Sequence, residues 1–380
     1  MCVPGTDAVA LARRHVAEVV RPNVARWERE ARLPRAALEA AGNAGLCGLF
    51  APAEVGGGAL TFAEGMPVFE ELGRGDAAYA FLLSMHNAVT GTLARHASPA
   101  VAERWARPLC SGRALGGFVA TEPHGGSDPA ANTTLATAVP GGYRISGRKA
   151  WVTLAGEADV YVVLCRTATG RGYRDALLAV VEADRPGLRV ARLYDKMASA
   201  FVPIGELELD GVEIRHDEVI APAGEGFQAA LGAIDVARVD IAAIAVGLAA
   251  EALAVALEHG RSRVLHEQPL LALQAIQFML ADVETDVVAG RLLYERAAAL
   301  LGTPGGPVAA AHAKRFCPDA ALRAALACSE ALGAYGWLND TPLPRFIALA
   351  KMLQVVDGTT EIQRLVIGRE LRRRADALEP

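Results

Sequence analysis

The apolar residues of this chain follow three successive patterns. From residue 6 to 112 they recur every three or four positions, as in VALARRHVAEVV and PRAALEAAGNAGL, which predicts amphipathic helices. From residue 116 to 220 they alternate with polar residues or form short apolar runs, which predicts strands. From residue 224 onward the helical spacing returns in long Ala- and Leu-rich segments. The predicted order is therefore helices, then strands, then helices.

Turn residues divide the second and third zones. In the strand zone, ADVYVVLCRT, DALLAVVEA and ELELDGVEI have the composition of strands, and Asp210 with Gly211 has the signature of a hairpin turn. In the last zone, the segment GTPGGP at residues 302–307 interrupts the helical pattern. Four or five long helices joined by short loops predict an antiparallel bundle.

Composition narrows the class of protein. The chain has 380 residues, 52% of them hydrophobic and 21% charged, with a net charge of −5. This suits a large buried core and provides no basic excess, so we expect binding neither to nucleic acid nor to a membrane. Arg13, Arg14 and His15 lie inside the first apolar pattern rather than before an apolar run, which argues against a signal peptide. No run approaches the roughly 18 uncharged apolar residues of a membrane span.

The cysteine and histidine spacings favour neither disulfides nor metal binding. The cysteines are Cys2, Cys47, Cys110, Cys165, Cys317 and Cys328. They are far apart and form no CxxC pair, so we expect reduced core thiols and a cytoplasmic protein. His266–Glu267 lacks the second histidine of a zinc protease, and we expect no metal site. The chain also lacks a complete P-loop and a G-x-S-x-G elbow.

The candidate chemistry begins with FVATEPHGGSD at residues 118–128. Gly125 and Gly126 allow backbone N–H groups to approach a ligand, and Thr121 and Ser127 supply hydroxyls. The segment KAWVT at residues 149–153 adds a flat apolar ring and a further hydroxyl. Together the two segments suit an isoalloxazine ring. On turn chemistry alone, a polar β-turn followed by an ordinary strand explains them equally well.

Both segments resemble the acyl-CoA dehydrogenase family, whose pattern is TEPxAGSD followed by a W-x-T strand. Further segments in the family's order are KMASAFVPIGELELDGVEI, GEGFQAALGAIDVARVDIAAIAVGLA, LQAIQFMLADV, EALGAYGWLNDTPLPR and VVDGTTEIQRLVIGRE. The resemblance covers nearly the whole chain. It implies an α+β multidomain fold, with an N-terminal helical domain at 1–115, a β-barrel or sandwich at 116–222 and a C-terminal four-helix bundle at 223–380.

The resemblance also implies noncovalent FAD. The residues that it assigns to FAD are Phe118, Ala120, Thr121, Gly126, Ser127, Trp151, Thr153, Arg263, Gln274, Glu330, Gly333, Ala334, Thr359 and Glu361. Arg263 would reach the diphosphate of FAD on a neighbouring subunit, although a solvated helix end is an alternative role. The family's Arg-x-x-Phe-Gly ends here in His266–Glu267, and its Gln and second Gly are replaced by Glu330 and Ala334. Two added carboxylates should weaken FAD binding unless they point away.

In the family, a glutamate in an aromatic-Glu-Gly-Thr turn removes the α-proton of an acyl thioester, while FAD accepts a hydride from the β-carbon. Here the turn is Val356-Asp357-Gly358-Thr359, so the base is one methylene shorter. Asp357 is a retuned base, a lost base or only the cap of the following helix. The family's second location for the base is Ala237, which provides no carboxylate. The backbone N–H of Asp357 would still polarise the thioester oxygen.

Substrate contacts are implied at four residues. Asp235 and Arg238 match residues that hold the CoA arm, Ser127 touches the same arm, and Gly358 lies beside the base. An ordinary ion pair three residues apart on a helix is an equally good explanation of Asp235 and Arg238. The two short side chains of Val356 and Asp357 suggest a turn remodelled for a branched, cyclic or bulky acyl group.

The resulting expectation is an FAD-dependent dehydrogenase of acyl thioesters, assembled as a dimer of dimers and passing electrons to an electron-transfer flavoprotein. The substrate would be an acyl-CoA or an acyl-carrier-protein thioester. One alternative is a carrier-protein-linked dehydrogenase or a flavin monooxygenase-like enzyme of secondary metabolism. Another is a non-catalytic FAD-binding subunit that has lost its base.

Overall fold

The computed structural model describes residues 7–168 and 173–377, which form two compact units. The first unit comprises residues 7–15, 22–61 and 82–237, and the second comprises residues 16–21, 62–81 and 238–377. The order helices, strands, helices is confirmed. Cys47, Cys110, Cys165, Cys317 and Cys328 are buried free thiols, whereas Cys2 lies outside the described residues.

From residue 7 onward, the first helical zone contains seven α-helices, with a turn of π-helix at two places. The helices are α1 (Ala8–His15), α2 (Val24–Glu30), α3 (Arg35–Asn43), α4 (Phe62–Gly75), α5 (Ala77–His96), α6 (Pro99–Val101) and α7 (Arg107–Cys110). Ser98 caps α6 by accepting a hydrogen bond from the N–H of Val101 at 3.4 Å.

The described residues of the middle zone form one eight-stranded sheet in the first unit. Its strands are β1 (Gly116–Val119), β2 (Leu135–Val139), β3 (Gly142–Thr153), β4 (Val160–Arg166), β5 (Ala176–Glu182), β6 (Leu188–Leu193), β7 (Ile204–Arg215) and β8 (Val219–Ala221). The order is β6-β7-β3-β2-β4-β5-β8, and β1 pairs in parallel with β4. All of β4 is buried, as its continuous apolar sequence VYVVLC predicts. Its residues share a core with Val89 and Leu93 of α5.

The predicted hairpin at Asp210–Gly211 is wrong. Both residues lie inside β7, where Val212 pairs with Ile145 and Leu209 pairs with Gly147, so the two residues form a bulge opposite a single residue of β3. Gly211 has φ +66°. A hairpin turn and a bulge both favour glycine at positive φ, and only the pairing of the neighbouring strands distinguishes them.

The last zone is helical and contains a short hairpin. Its elements are α8 (Gly226–Ser262), β9 (Val264–Leu265), β10 (Gln268–Pro269), α9 (Gln274–Leu300), α10 (Gly306–Ala331), α11 (Leu343–Val355) and α12 (Thr360–Asp376). In the second unit, α10 packs against α9, α11 and α12. The Gly- and Pro-rich break between α9 and α10 lies where the sequence predicts it. Helix α10 is therefore central to the packing of the second unit, and it carries the fully buried Lys314.

Helix α8 is unusually apolar. Among the described residues it is the one helix whose length and composition would allow it to cross a membrane. Its most apolar window of 18 residues has a mean hydropathy of 2.0 and is 83% buried inside the protein. Burial of this kind is also what a core helix of a globular protein shows.

Candidate active site

The loop that follows β1 is anchored by one buried carboxylate. Glu122 is 2% exposed and accepts four hydrogen bonds, from the backbone N–H and the hydroxyl of Thr133 and of Thr134, at 2.6–2.8 Å. Lys149 of β3, which is fully buried, donates to Glu122 Oε1 at 3.0 Å and to the carbonyl of Ala120 at 3.2 Å. Every lone-pair direction of this carboxylate is therefore used, and the loop is held rigidly against β3.

The electrostatics of this pair favour the ionised carboxylate. Burial alone would raise the pKa of Glu122, but Lys149 and the hydrogen bonds from the two threonines outweigh burial and lower the pKa to about 2. Burial lowers the pKa of Lys149, and Glu122 opposes that shift. The pair is a fixed structural charge pair, because a carboxylate with so low a pKa is a poor proton acceptor near neutral pH.

The second segment continues directly from this anchor. The N–H of Ala150 donates to the carbonyl of Thr121 at 2.9 Å, so the two segments named in the sequence lie side by side. Trp151 is 63% exposed and has φ +56°, and its ring stacks at 4.5 Å on the ring of Tyr194. Thr153 is 6% exposed. The segments thus place a broad aromatic face beside a loop of polar groups.

The other residues predicted to contact the flavin in this segment lie in β1 or on the loop that follows it. Phe118 and Ala120 are half-buried, and Gly126 and Ser127 are exposed. A Cβ on Gly126 would lie 3.0 Å from the methyl and the hydroxyl of Thr121, so a side chain here would crowd that hydroxyl. The exposed loop backbone, the free aromatic face and the nearby hydroxyl fit a flat heteroaromatic ligand such as a flavin.

The turn between α11 and α12, which we call the base turn (residues 356–359), has an unusual backbone. Asp357 has φ +53° and Gly358 has φ +97°, so two consecutive residues are left-handed. The N-cap of α12 is Thr359, whose hydroxyl accepts a hydrogen bond from the N–H of Ile362 at 3.4 Å. The alternative that Asp357 caps this helix is therefore wrong, because the cap is two residues further on.

The carboxylate of Asp357 is poorly satisfied for a buried group. The residue is partly exposed, but its Oδ2 atom is buried and has no hydrogen-bond partner among the residues that the structure describes. Burial raises the pKa of Asp357 to about 6, and the positive charges of Lys314 and Arg238 oppose this shift. An aspartate with such a pKa is mostly ionised at neutral pH and is still basic enough to accept a proton.

Two buried side chains hold the base turn in place. Lys314 of α10 donates to the carbonyls of Leu353 at 2.8 Å and Gly358 at 3.2 Å. Gln363 of α12 donates to the same Gly358 carbonyl at 3.0 Å. A Cβ on Gly358 would lie 2.8 Å from the Gln363 amide nitrogen, so glycine is required both by this close approach and by its positive φ.

Comparisons with known proteins point to a single family over most of the chain. Three family descriptions match: "Acyl-CoA dehydrogenase, N-terminal domain" at residues 7–113, "middle domain" at 117–212 and "C-terminal domain" at 224–372. An "Acyl-CoA dehydrogenase" of Bacillus subtilis is 33% identical over 373 residues, covering 96% of this chain and 98% of that protein.

The chain belongs to the acyl-CoA dehydrogenase family.

Solved structures of this family have the same fold. Butyryl-CoA dehydrogenase from Megasphaera elsdenii superposes with a TM-score of 0.92 at 29% identity, covering 98% of this chain and 100% of that one. A glutaryl-CoA dehydrogenase from Mycobacterium smegmatis in complex with FADH2 superposes with a TM-score of 0.89 at 27% identity, covering 96% and 93%. The fold inferred from the sequence is confirmed, and the chain is an acyl-CoA dehydrogenase-like oxidoreductase that acts on CH–CH bonds.

The residues assigned to the FAD diphosphate lie on the exposed surface of the second unit. The guanidinium of Arg263, directly after α8, lies 6.0 Å from the ring of Tyr335, and the ring of His259 lies 5.6 Å from the same tyrosine. The assigned turn residues Glu330, Gly333 and Ala334 are all exposed just before this tyrosine, and Gln274 is exposed at the first residue of α9. The exposed surface here is thus aromatic and cationic, with an acidic group beside it.

Two of the departures from the family pattern lie in a tight turn. His266 and Glu267 have φ +50° and +65° and join β9 to β10. Both are exposed. Non-glycine residues in this conformation are strained, and glycine, which the family pattern has at the second position, would relieve part of that strain.

Three of the four predicted substrate residues lie on α8 and in the base turn, whereas Ser127 lies on the exposed loop that follows β1. Asp235 is partly buried and Arg238 is 9% exposed on α8. The positive charge of Arg238 acts on Asp357, which the sequence analysis did not foresee for a residue assigned to the CoA arm. Glu361, which the resemblance assigns to FAD rather than to the substrate, is exposed in the first turn of α12.

Four residues that shape these sites have no role among the predictions from sequence: Lys149, Tyr194, Lys314 and Gln363. A signal existed for Lys314, which stands in the run AAAHAKRFC on the buried side of a helix, where a charged residue needs a reason. No such sequence signal marks Tyr194, because its place next to Trp151 depends on the pairing of β6 with β7.

Proposed function

We propose that this protein catalyses the FAD-dependent α,β-dehydrogenation of an acyl thioester, with Asp357 as the base that removes the α-proton. The observation that carries the proposal is the state of this carboxylate: Oδ2 is buried and has no partner among the described residues, and the pKa is raised to about 6. A structural carboxylate would be hydrogen-bonded, as Glu122 is.

FAD is the cofactor in this proposal. The exposed ring of Trp151, the buried hydroxyl of Thr153 and the anchored loop that carries Thr121 would hold the isoalloxazine ring. Arg263 would pair with a diphosphate. FAD, when bound, supplies the acceptor for the hydride that leaves the β-carbon.

The other tasks fall to residues of the base turn. The backbone N–H of Asp357 would donate to the thioester carbonyl oxygen, which makes the α-proton more acidic. The Asp357 carboxylate would take that proton, and the left-handed backbone at Asp357 and Gly358 fixes the direction from which it acts. Because the side chain is one methylene shorter than glutamate, the acyl group would approach the turn more closely, which favours a branched, cyclic or bulky acyl chain.

Several further assignments rest on family membership, and the cytoplasmic location rests on the widely spaced cysteines. The substrate is an acyl-CoA or an acyl-carrier-protein thioester, and the electron acceptor is an electron-transfer flavoprotein. The protein assembles as a homotetramer made of two dimers in the cytoplasm, with domains at 1–115, 116–222 and 223–380. Mass photometry of the purified yellow protein tests the assembly, since a stable holo-monomer would contradict it.

The deciding experiment mixes the purified holoprotein with a panel of acyl-CoA thioesters without oxygen and follows bleaching of the flavin absorbance. Rapid bleaching by at least one thioester, with formation of the enoyl product, is the expected result. Bleaching by no CoA or carrier-protein thioester would support a non-catalytic FAD-binding subunit. Oxygen-dependent hydroxylation without an enoyl product would contradict the dehydrogenase proposal.

A further inference from the structure

Lys314 connects the two ends of the base turn. Its side chain is fully buried on α10. Its ammonium donates to the carbonyl of Leu353, in the last turn of α11, and to the carbonyl of Gly358, directly after the proposed base. One buried cation therefore bridges the chain before Asp357 and the chain after it.

Burial of the Lys314 charge costs more free energy than a purely structural contact requires. A lysine is almost never fully buried without a carboxylate partner, and both of its hydrogen bonds here go to carbonyl oxygens. Burial lowers the pKa of Lys314 to about 8, although Asp357 acts in the opposite direction. A methionine would fill similar space without desolvating a charge, so the charge itself needs an explanation.

The backbone beside it requires support. Asp357 and Gly358 are both left-handed, a conformation that costs free energy for any residue except glycine and persists only when its surroundings impose it. The two hydrogen bonds to the Gly358 carbonyl, from Lys314 and Gln363, impose it from two different helices.

We propose that Lys314 is a positioning residue for the dehydrogenation: its ammonium holds both ends of the base turn and keeps the Asp357 carboxylate ionised at the working pH. This inference rests on the proposed role of Asp357 as the base. The charged groups that act on Asp357 are Lys314 of α10 and Arg238 of α8, and Asp319, further along α10, acts in turn on Lys314.

Two variants separate the hydrogen bonds that Lys314 donates from the effect of its positive charge. Lys314→Gln keeps N–H donors but removes the positive charge, and Lys314→Met removes both. The matched control is Cys317→Ala on the same helix, because Cys317 is buried and donates a weak bond at 3.5 Å to the carbonyl of Gly290, away from the base turn. Burial raises the pKa of Cys317, so the control changes no charge near neutral pH.

The first measurement is the pH profile of anaerobic flavin reduction in the holoenzyme at saturating thioester. In Lys314→Gln we expect the acid limb to move upward by about one pH unit, because a neighbouring positive charge is lost. In Lys314→Met we expect the same shift and a plateau rate at least about 10-fold lower, because the turn is no longer held. Cys317→Ala should keep the wild-type limb. An acid limb at the wild-type pH in both lysine variants would overturn the proposal.

The second measurement does not depend on activity. Asp357→Asn is combined with Lys314→Gln, and chemical denaturation of the holoprotein is followed at pH 5 and pH 8. At pH 8 the asparagine substitution should raise the denaturation midpoint more in the Lys314→Gln background than in the wild type, because an ionised Asp357 without Lys314 costs more to bury. An equal effect in the two backgrounds would contradict the coupling.

The outcomes distinguish this inference from the proposed function. If Asp357→Asn reduces flavin at the wild-type rate, Asp357 is not the base and the positioning role falls with it, whatever the denaturation cycle shows. If Asp357→Asn is inactive and the acid limb of the Lys314 variants stays at the wild-type pH, only the positioning role of Lys314 is refuted. If neither lysine variant folds, NMR titration of the wild type and of Asp357→Asn, with lysine labelled at Cε, is the deciding measurement. The pKa of Lys314 should be lower in Asp357→Asn than in the wild type. An unchanged pKa would refute the electrostatic coupling between Lys314 and Asp357.

Discussion

Two fully buried lysines, one in each unit, each act on a carboxylate of their own unit, and the pKa values of the two carboxyl groups shift in opposite directions. In the first unit, Lys149 donates directly to Glu122, and the pKa of that carboxyl is lowered to about 2. In the second unit, Lys314 donates to carbonyls on both sides of Asp357, and the pKa of that carboxyl is raised to about 6. The same residue type therefore fixes one carboxylate as a permanent anion and leaves the other able to exchange a proton.

The difference lies in direct contact with the cation and in the number of hydrogen bonds, because Lys149 pairs with Glu122 at 3.0 Å whereas Lys314 donates to backbone carbonyls beside Asp357. Glu122 accepts four hydrogen bonds from Thr133 and Thr134 as well as that of Lys149, and these stabilise its ionised form. Asp357 Oδ2 has none among the described residues, so burial dominates its titration. A nearby cation is thus insufficient to make a carboxylate structural, and the number of donors that reach its oxygens separates the two cases.

The largest expected effect is on the anchored pair. Lys149→Met leaves Glu122 buried and without its cation, which should lower the free energy of unfolding by about 3–5 kcal/mol and loosen FAD binding. The control is Arg148→Met, one residue earlier, whose partner Glu206 lies at 2.8 Å while the arginine side chain is 55% exposed. Removal of that pair should cost at most about 1 kcal/mol. Equal losses in the two variants, measured by chemical denaturation, would refute the special role of the buried pair.

The next effect is kinetic and concerns the other carboxylate. Asp357→Asn should slow anaerobic flavin reduction by at least about 100-fold, equivalent to about 2.7 kcal/mol of barrier, while FAD and thioester remain bound. Asp282→Asn, an exposed acid on α9, is the control and should leave the rate unchanged. Undiminished reduction in Asp357→Asn would remove this residue from the mechanism. Asp357→Glu should slow the true substrate if the turn was rebuilt around the shorter side chain.

The sequence predicted the zones, the family and the two candidate segments, because apolar spacing and local motifs are properties of consecutive residues. It did not predict that Thr359 rather than Asp357 caps α12, since both types of residue cap helices well. It also missed Lys314, because that residue is 43 positions from Asp357 and only the packing of α10 on the base turn brings them together. The hairpin predicted at Asp210–Gly211 failed for the same reason: local turn chemistry was right, and the pairing of distant strands decided its use.

The pH dependence of stability should have opposite signs in the two regions. Asp357 has a raised pKa, so its stabilising contribution is complete below the unfolded-state value near 4 and is lost as the pH rises through about 6. Asp357→Asn behaves as a permanently neutral group. It should match the wild type near pH 4 and exceed its free energy of unfolding by about 3 kcal/mol well above pH 6.

The contrasting carboxylate tests that sign. Glu122 has a lowered pKa, so its contribution is present above pH 4.5 and is lost as the pH falls through about 2. Glu122→Gln should therefore be less stable than the wild type at pH 7, by an amount that shrinks in acid. Denaturation midpoints of both variants across pH 3–8 measure the two curves, and slopes of the same sign would break the comparison between the regions.

The smallest expected effect concerns Tyr194, whose ring lies against Trp151 in the first unit. Tyr194 stacks at 4.5 Å on Trp151, and its hydroxyl donates to Glu206 at 2.9 Å. Aromatic pairs contribute about 0.5–1.5 kcal/mol beyond the area that they bury, so Tyr194→Leu should weaken FAD binding by roughly 2- to 10-fold without moving the acid limb of flavin reduction. Tyr143→Leu is the control, because that ring packs edge-on at 5.7 Å against His216 in the same sheet. Equal FAD affinities in the two variants would mean that Trp151 keeps its orientation without its neighbour, whereas a shifted acid limb in Tyr194→Leu would show that the two regions are not independent.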